Sequence, residues 1–370
     1  MATRARKAVF ALVPLLVVLG AAELLQRLSD WRKARRPREG QWDLPTLRTT
    51  GGTPLGRERA GIGWELDPHL LWRNRPLQRS ERGTINAQGF RGPDWTREKA
   101  PGKQRVFLLG GSVAYGWGVA GDEGTVAARM ERMLGPGFEV LNAGVIGYAS
   151  TQELILLETV LLDWSPDAIV VLDGWNDLIY AGKTPPGAPI RPVTFAQVEQ
   201  VLDRGQDGLG AALRLSALWR GVERRWREAA EARAAEETRD VGVFHDHPDG
   251  PRVYRRNLEL IARIARSYGI RAVLAAQPEL SLRRRPIPPE LAAKVERDTG
   301  RGYLEFARTF YPRYRDAARE VAAQHGAAWV DAGAALDAIV ADEETFTDAC
   351  HLTAAGNEAL ARALADALRP

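Results

Sequence analysis

The chain has 370 residues, 45% of them hydrophobic and 26% charged, which suits one large globular domain with extensions or two small domains. Its formal net charge is +4, and the basic residues are scattered rather than gathered into runs interleaved with aromatic residues. This distribution argues against nucleic acid as a partner. The single cysteine, Cys350, excludes an intrachain disulfide and a cysteine-based metal cluster.

The N-terminal segment 1–36 differs from the rest of the chain. A basic start is followed by an apolar run over 8–22, which Glu23 interrupts before an amphipathic stretch continues. A membrane-spanning helix needs about 20 apolar residues, so this run is short. We expect an uncleaved membrane anchor, with a cleaved signal peptide as the alternative, and an extracytoplasmic body. The basic residues after the run, taken alone, would place the body in the cytoplasm.

The rest of the chain divides by composition. Residues 37–60 are rich in Pro, Gly and Thr without a period, which predicts a linker, and the aromatic residues of 61–104 predict a lead-in segment packed on the next domain. Residues 105–370 form that domain. A helical insertion at about 207–240 interrupts it, and the charged and alanine-rich second half predicts a solvated surface helix. A lid or a partner-binding arm is the alternative.

From residue 105 onward, apolar runs alternate with helical patterns. Strands are predicted at 105–110, 138–144, 168–174, 271–277 and 327–332. Helices are predicted at 122–134, 150–163, 253–268, within 302–324 and at 354–368. We expect Asp122 to begin the first helix and Ser150 or Thr151 to cap the second. Continuous apolar strands between helices predict an α/β domain of the doubly wound kind, with a parallel sheet covered on both faces.

Small or polar residues follow the predicted strands. Ser112 comes after the first strand, Gly147 lies in the glycine-rich stretch after the second, and Asn176 follows the third. Asp348 and His351 come after the last short strand and its helix. Because ligands of such sheets bind beyond the carboxyl ends of the strands, we expect these residues to meet at one edge.

These residue types fit nucleophilic catalysis. A serine hydroxyl needs a base within hydrogen-bond reach and a third group that orients the base. His351 is the candidate base, and Asp348 is the candidate for the orienting acid. The oxyanion formed by attack on an ester needs preorganised donors. The candidates are the backbone N–H groups of Ser112 and Gly147 and the side-chain amide of Asn176.

Four motifs that carry these residues, GGS, NAGVIG, GWND and DACH, resemble the signature of the SGNH, or GDSL, hydrolases. The resemblance covers about 105–370 and implies a flavodoxin-like three-layer α/β/α fold without a metal or cofactor. It implies a nucleophile, an oxyanion glycine and asparagine, and an acid and base at Ser112, Gly147, Asn176, Asp348 and His351, respectively.

The resemblance has one departure and one extension. The aspartate that usually precedes the family's serine is Gly111 here, and we expect looser packing under the serine turn. The lead-in sequence DPHLLWRNRP…TINAQGFRGPDW is similar to the segment before the catalytic domain in membrane-anchored bacterial SGNH proteins.

The resemblance and the motifs together predict a serine ester hydrolase that works through an acyl-Ser112 intermediate. We expect its substrates to be O-acetyl or other short O-acyl esters on glycans or lipids. An O-acyltransferase with the same active site is one alternative, and a membrane-tethered binding or scaffold protein without turnover is another. A lipase would need an apolar acyl groove. Four tryptophans are candidates for lining one or for the core: Trp117, Trp164, Trp175 and Trp219.

Competing motifs are weaker. GWGVAG at 116–121 matches the dinucleotide pattern G-x-G-x-x-G, but it lies too far beyond the strand, and the phosphate-loop pattern also fails there. The HDH stretch at 245–247 lacks a further metal ligand nearby. Cys350 has no oxyanion partners of its own and is interpreted as a small packed residue. Asp177 is expected to support the turn after Asn176.

Overall fold

A computed structural model describes residues 17–29, 47–48, 63–192, parts of 216–225, 244–338 and 344–369. The chain forms two units. The larger unit comprises 44–50, 62–198 and 242–370, and the smaller comprises 1–43, 51–61 and 199–241. Most of the predicted insertion at 207–240 and most of the predicted linker lie outside the described residues.

The larger unit begins with five short strands. They are β1 (Leu47–Arg48), β2 (Trp64–Asp67), β3 (Leu71–Asn74), β4 (Gln78–Ser80) and β5 (Gly83–Ile85). Strands β2 and β3 form an antiparallel hairpin that β1 extends in parallel, and β4 pairs with β5. The two residues of β1 belong to the predicted linker. The hairpin buries Trp64 and Trp72, whose ring centroids lie 5.7 Å apart.

A five-stranded parallel sheet forms the centre of this unit, which confirms the predicted α/β architecture. Its strands are β6 (Gln104–Gly110), β7 (Phe138–Asn142), β8 (Ala168–Asp173), β9 (Arg271–Ala276) and β10 (Ala328–Asp331). They lie in the order β10-β9-β8-β6-β7. Numbered along the chain from β6, this is the 2-1-3-4-5 order of flavodoxin-like sheets. The apolar side chains of β6 and β8 are fully buried, because helices cover both faces.

Nine α-helices of the larger unit are described. They are α1 (Ser112–Tyr115), α2 (Val126–Leu134), α3 (Ser150–Thr159), α4 (Trp175–Gly182), α5 (Asp249–Ser267), α6 (Pro289–Thr299), α7 (Tyr303–His325), α8 (Ala332–Asp337) and α9 (Ala354–Leu368). Helix α2 packs against α9, whereas α3, α4 and α7 pack against α5. Right-handed crossovers place these two groups on opposite faces, because the strand order reverses at β6.

Two helix starts differ from the sequence prediction. The first helix begins at Val126 and not at Asp122, because the Thr125 hydroxyl accepts the Ala128 N–H while Asp122 pairs with Arg91. Ser150 and Thr151 both lie inside α3, and neither caps it. The Ser150 hydroxyl donates to Asp177, and the Thr151 hydroxyl accepts from Asn257. Helix α6 had no counterpart in the prediction.

Two buried arginines connect the lead-in segment to the sheet. Arg105 lies on β6 and donates to Glu139 and to the carbonyl oxygens of Thr96 and Arg97. Arg91 donates to the carboxylate of Asp122, to the carbonyl oxygen of Arg82 and to carbonyl oxygens in the loop 115–121. The side chains of both arginines are 0% exposed. A buried guanidinium is stable only when acceptors surround it. Both segments supply these acceptors, so the lead-in segment packs directly on the five-stranded sheet.

The N-terminal helix covers 17–29 in the smaller unit. Among the helices in the described parts of the chain, none has the length and apolarity needed to cross a membrane. Residues 8–16 of the predicted anchor lie outside those parts. Glu23, which interrupts the apolar run, accepts hydrogen bonds from the Ser216 hydroxyl at 2.8 Å and the Ala217 N–H at 2.7 Å.

Candidate active site

The carboxyl ends of the strands bring together the side chains that the motifs singled out. Ser112 begins α1 directly after β6, and its Oγ lies 2.7 Å from Nε2 of His351. Nδ1 of His351 lies 2.7 Å from Oδ2 of Asp348. Two hydrogen bonds therefore connect a serine hydroxyl, an imidazole and a carboxylate. Ser112 and His351 are 239 positions apart in the sequence.

The loop before α9 orients the imidazole. Oδ1 of Asp348 accepts the backbone N–H groups of Cys350 and His351, so the aspartate closes a turn while its other oxygen holds the ring. Because a carboxylate only accepts, Nδ1 of His351 carries the hydrogen, and Nε2 is left to accept from the serine. Burial opposes ionisation of Asp348, but His351 and the two N–H groups outweigh it and hold the pKa of Asp348 well below its usual range.

The predicted oxyanion glycine lies in a tight turn. The N–H of Tyr148 donates to the carbonyl of Val145 at 3.0 Å, and Gly147 between them has a φ of +84°. These features define a type II turn, in which the third residue needs a positive φ and is therefore usually glycine. The preference for glycine at 147 thus has a backbone cause.

The Asn176 side chain is tied to this turn. Helix α4 begins at Trp175, and Nδ2 of Asn176 donates to the carbonyl of Tyr148 at 2.7 Å. A side chain added at Gly111 would begin inside the van der Waals radius of that same nitrogen. The prediction of loose packing at Gly111 is therefore wrong. The missing side chain lets Asn176 approach the backbone beside Ser112.

Asp177 supports the adjoining helices. Its carboxylate accepts the N–H and the hydroxyl of Ser150, at 3.1 and 2.5 Å, which joins the start of α3 to α4. Burial raises the pKa of Asp177 to about 6, and the hydrogen bonds from Ser150 partly offset this effect. Asn257 of α5 donates to the same Ser150 hydroxyl at 2.9 Å.

Several residues that support the site belong to none of the sequence motifs. Trp72 and Tyr180 both donate to backbone carbonyls of the turn at 145–148. Tyr303 accepts the indole N–H of Trp175 and donates to Glu279, whose pKa burial raises to about 7. No local pattern marks these side chains, because each contacts the site from a distant part of the chain.

The four tryptophans have different surroundings. Trp117 packs against the candidate catalytic histidine, with its ring centroid 6.0 Å from that of His351. Trp164 packs on Phe90 under the lead-in segment, and Trp175 donates to Tyr303. Trp219 belongs to the smaller unit. The contacts of Trp164 and Trp175 favour a packing role for them over an acyl groove.

The geometry disfavours the competing sites. The carbonyl oxygens of Gly116, Val119 and Gly121 face the guanidinium of Arg91, whereas a dinucleotide loop presents N–H groups to phosphate. The ring nitrogens of His247 contact the carbonyl of Ala188 and the N–H of Asp249.

Cys350 is a poor nucleophile in this setting. The residue is 1% exposed, and burial, followed by the charges of Asp348 and Glu279, raises the pKa of its thiol well above the usual value. Ligand atoms of Asp348, Cys350 and His351 do lie within 4.8 Å of one another. The aspartate and histidine of that group are already hydrogen-bonded to each other and to Ser112.

Solved structures of low sequence identity resemble this chain. An Enterococcus faecalis lipase/acylhydrolase is 17% identical, with a TM-score of 0.40 over 71% of this chain and 94% of that chain. An acetyl-xylooligosaccharide esterase from Geobacillus is 15% identical, with a TM-score of 0.43 over 73% of this chain and 96% of that chain. A search of curated protein sequences gave no match. The model of the GDSL-like Lipase/Acylhydrolase family matches residues 108–359, well over half of the chain. This protein therefore belongs to the GDSL-like lipase/acylhydrolase family and is an ester hydrolase.

Proposed function

We propose that the protein hydrolyses carboxylic esters through an acyl-Ser112 intermediate. The observation that carries the proposal is the line of two 2.7 Å contacts from Ser112 to His351 and from His351 to Asp348. Nε2 of His351 takes the hydroxyl proton as Oγ attacks the ester carbonyl carbon. The bond to the alcohol then breaks, and His351 returns the proton to the leaving alkoxide. Water attacks the acyl-enzyme in the same way and releases the acid.

The tetrahedral intermediates carry a negative charge on the former carbonyl oxygen. We assign the backbone N–H groups of Ser112 and Gly147 and the amide of Asn176 to that oxygen, since all three belong to strand ends beside the serine. The ionised Asp348 stabilises the imidazolium that forms at each step, and it holds the ring in the required tautomer. The low pKa of Asp348 supports this role because the carboxylate stays charged throughout.

The finer substrate class is part of the proposal. We infer that the acyl group is short, acetyl or a near homologue, and that a glycan or a lipid carries it. The support is the apolar N-terminal segment, which would hold the enzyme near such esters. An O-acyltransferase would use the same residues, with a sugar hydroxyl in place of water. A scaffold protein would keep the fold but leave Ser112 unreactive.

Replacement of the serine tests the proposal. The full chain should hydrolyse p-nitrophenyl acetate faster than the octanoate, and Ser112→Ala should lower kcat/KM by about three orders of magnitude or more. Ser267→Ala is a matched control, since that serine is exposed at the end of α5 and bonds only within its helix. Equal rates for wild type and Ser112→Ala would refute the assignment.

Two further measurements separate the alternatives. A fluorophosphonate probe that leaves the folded wild type unlabelled would favour the scaffold function. If a soluble sugar added to the assay takes up most of the acyl group in preference to water, the transferase is favoured. Hydrolysis should dominate in both the presence and the absence of the sugar.

We also propose that the N-terminal segment holds the protein on a membrane, with the catalytic unit on the extracytoplasmic side. The support is the apolar run over 8–22 with its basic flanks, together with exposed apolar side chains on the helix at 17–29. Val17, Val18, Leu24 and Leu25 are each at least 59% exposed. Partition of the full chain between soluble and membrane fractions tests this proposal.

A further inference from the structure

The peptide bond between Ile146 and Gly147 is the central peptide of the type II turn at 145–148. Its N–H belongs to Gly147 and is the donor assigned to the oxyanion. Its C=O belongs to Ile146 and points the opposite way, because a trans peptide is planar. Whatever holds the carbonyl therefore also sets the direction of the N–H.

Type I and type II turns differ in the direction of this central peptide. Both keep the hydrogen bond between the first and fourth residues, here from Tyr148 to Val145, so that bond does not select between them. Glycine at the third position accepts the φ values of both types. The turn alone therefore leaves the Gly147 N–H free to point towards the substrate or away from it.

The indole of Trp72 holds the carbonyl end of this peptide. Its Nε1 donates to the carbonyl of Ile146 at 3.1 Å, and the Trp72 side chain is 0% exposed. The hydroxyl of Tyr148 donates in return to the backbone carbonyl of Trp72 at 2.6 Å. The two rings meet edge to face with centroids 5.7 Å apart. A flip of the peptide would leave the indole N–H and the Ile146 carbonyl unpaired in a buried place, which is costly.

Trp72 reaches the turn from the β2–β3 hairpin, outside the catalytic sheet. Asp67 closes the hairpin turn by accepting the N–H groups of His69 and Leu70. Leu71, directly before Trp72, has a φ of +70°, which is unfavourable for leucine. Asn74 on the same strand donates to the carbonyl of Gly144 at 3.3 Å. The hairpin is thus fixed to the loop at 144–148 by three hydrogen bonds.

We propose that Trp72, with Tyr148, is a positioning residue for catalysis: it locks the Ile146–Gly147 peptide so that the Gly147 N–H faces the oxyanion. The inference rests on the proposed function, because it needs an oxyanion to form at Ser112. It assigns the lead-in hairpin to the active site.

Trp72→Phe tests the proposal, since it keeps a buried ring and removes only the donor. Misplacing one oxyanion donor should lower kcat by about ten- to hundredfold, with KM changed by less than about threefold. Trp64→Phe is the matched control. It is the neighbouring buried tryptophan of the hairpin, and among the described residues its Nε1 has no hydrogen-bond partner. Trp64→Phe should stay within about threefold of the wild-type kcat.

Inhibition by butylboronic acid gives a readout that a merely structural role would not move. The boronate on Ser112 is tetrahedral and places an oxygen where the oxyanion forms. Its Ki should rise about ten- to hundredfold in Trp72→Phe and little in Trp64→Phe, with both variants folded at the assay temperature. Equal kcat and Ki in the two variants would overturn the proposal.

The outcomes separate this inference from the proposed function. A wild type that neither hydrolyses esters nor binds the boronic acid would refute the proposed function itself. An active wild type with matching tryptophan variants would refute only the role of Trp72. If Trp72→Phe does not fold, Tyr148→Phe takes its place, because it removes the bond to Trp72 and keeps the ring. A kcat and Ki at the wild-type level in Tyr148→Phe would then overturn the proposal.

Discussion

The backbone at Gly111 passes so close to the Asn176 side chain that a Cβ there would overlap with Nδ2. The same Cβ would also approach the carbonyl of Tyr148, at 3.1 Å. Asn176 donates to that carbonyl and so contacts the turn that contains Gly147. Gly111 therefore affects the position of two of the proposed oxyanion donors, and this explains how the chain accommodates its departure from the usual motif.

Gly111→Ala should lower kcat strongly and the free energy of unfolding moderately. The added methyl group displaces the Asn176 amide, and loss of one oxyanion donor lowers kcat by about 10² to 10³. Overpacking should cost about 1–3 kcal/mol of unfolding free energy. Steady-state kinetics and urea unfolding measure the two effects. Gly137→Ala is the control, since its Cβ would meet nothing within 4 Å. A wild-type kcat in Gly111→Ala would show that Asn176 is free to move.

At the scale of the elements, three carboxyl groups are buried where α3, β8 and α4 meet. Glu153 lies on α3, Asp173 ends β8, and Asp177 lies on α4. Burial, and then the neighbouring charges, raises the pKa values of Glu153 and Asp173 well above their usual range. Asp173 also accepts the hydroxyl of Tyr254 at 2.7 Å. Burial therefore favours the protonated form of Glu153.

The pH dependence of stability follows from these shifts. The folded state holds protons that the unfolded chain releases above about pH 4 to 5, so the folded state binds more protons and the unfolding free energy falls as pH rises. Glu153→Gln removes one such group. Its melting temperature should fall less steeply than that of the wild type between pH 5 and pH 8. Glu158→Gln, exposed on the same helix, should keep the wild-type slope. Parallel slopes for Glu153→Gln and wild type would contradict this assignment.

The lead-in segment belongs to the same unit as the candidate active site. Arg91 and Arg105 are buried between that segment and the sheet, and Trp72 contacts the active-site turn. The N-terminal helix belongs to the other unit and exposes its apolar side chains. The larger unit therefore contains the candidate active site, and the smaller unit contains the proposed membrane-binding helix.

If the N-terminal segment holds the protein on a membrane, the full chain should sediment with the membrane fraction of the cells that express it and resist washing with high salt. Replacing both Leu24 and Leu25 by Glu should move it to the soluble fraction, since each charge at membrane depth costs about 2.5–3.5 kcal/mol. Leu260→Glu is the control, because that leucine is exposed on α5 in the other unit. Finding the wild-type chain in the soluble fraction would refute the proposal.

Sequence patterns were sufficient to predict the parallel sheet and to propose five site residues. The continuous apolar runs at β6 and β8 require burial on both faces, and polar residues at the ends of such strands must share one edge. The position of Ser112 and His351 after such strands thus predicts that they meet. These inferences needed only local periodicity and the known geometry of parallel sheets.

Tertiary structure alone decided which distant side chains support that edge. Trp72 and Arg91 lie in the segment 61–104, whose aromatic residues predict packing but do not predict which part of the sheet they contact. Gly111 becomes intelligible only when Asn176 lies beside it. The physical reason is the range of the interactions. Burial patterns and backbone preferences depend on residues that are close in sequence. A hydrogen bond between residues 72 and 146 forms only after both segments have packed.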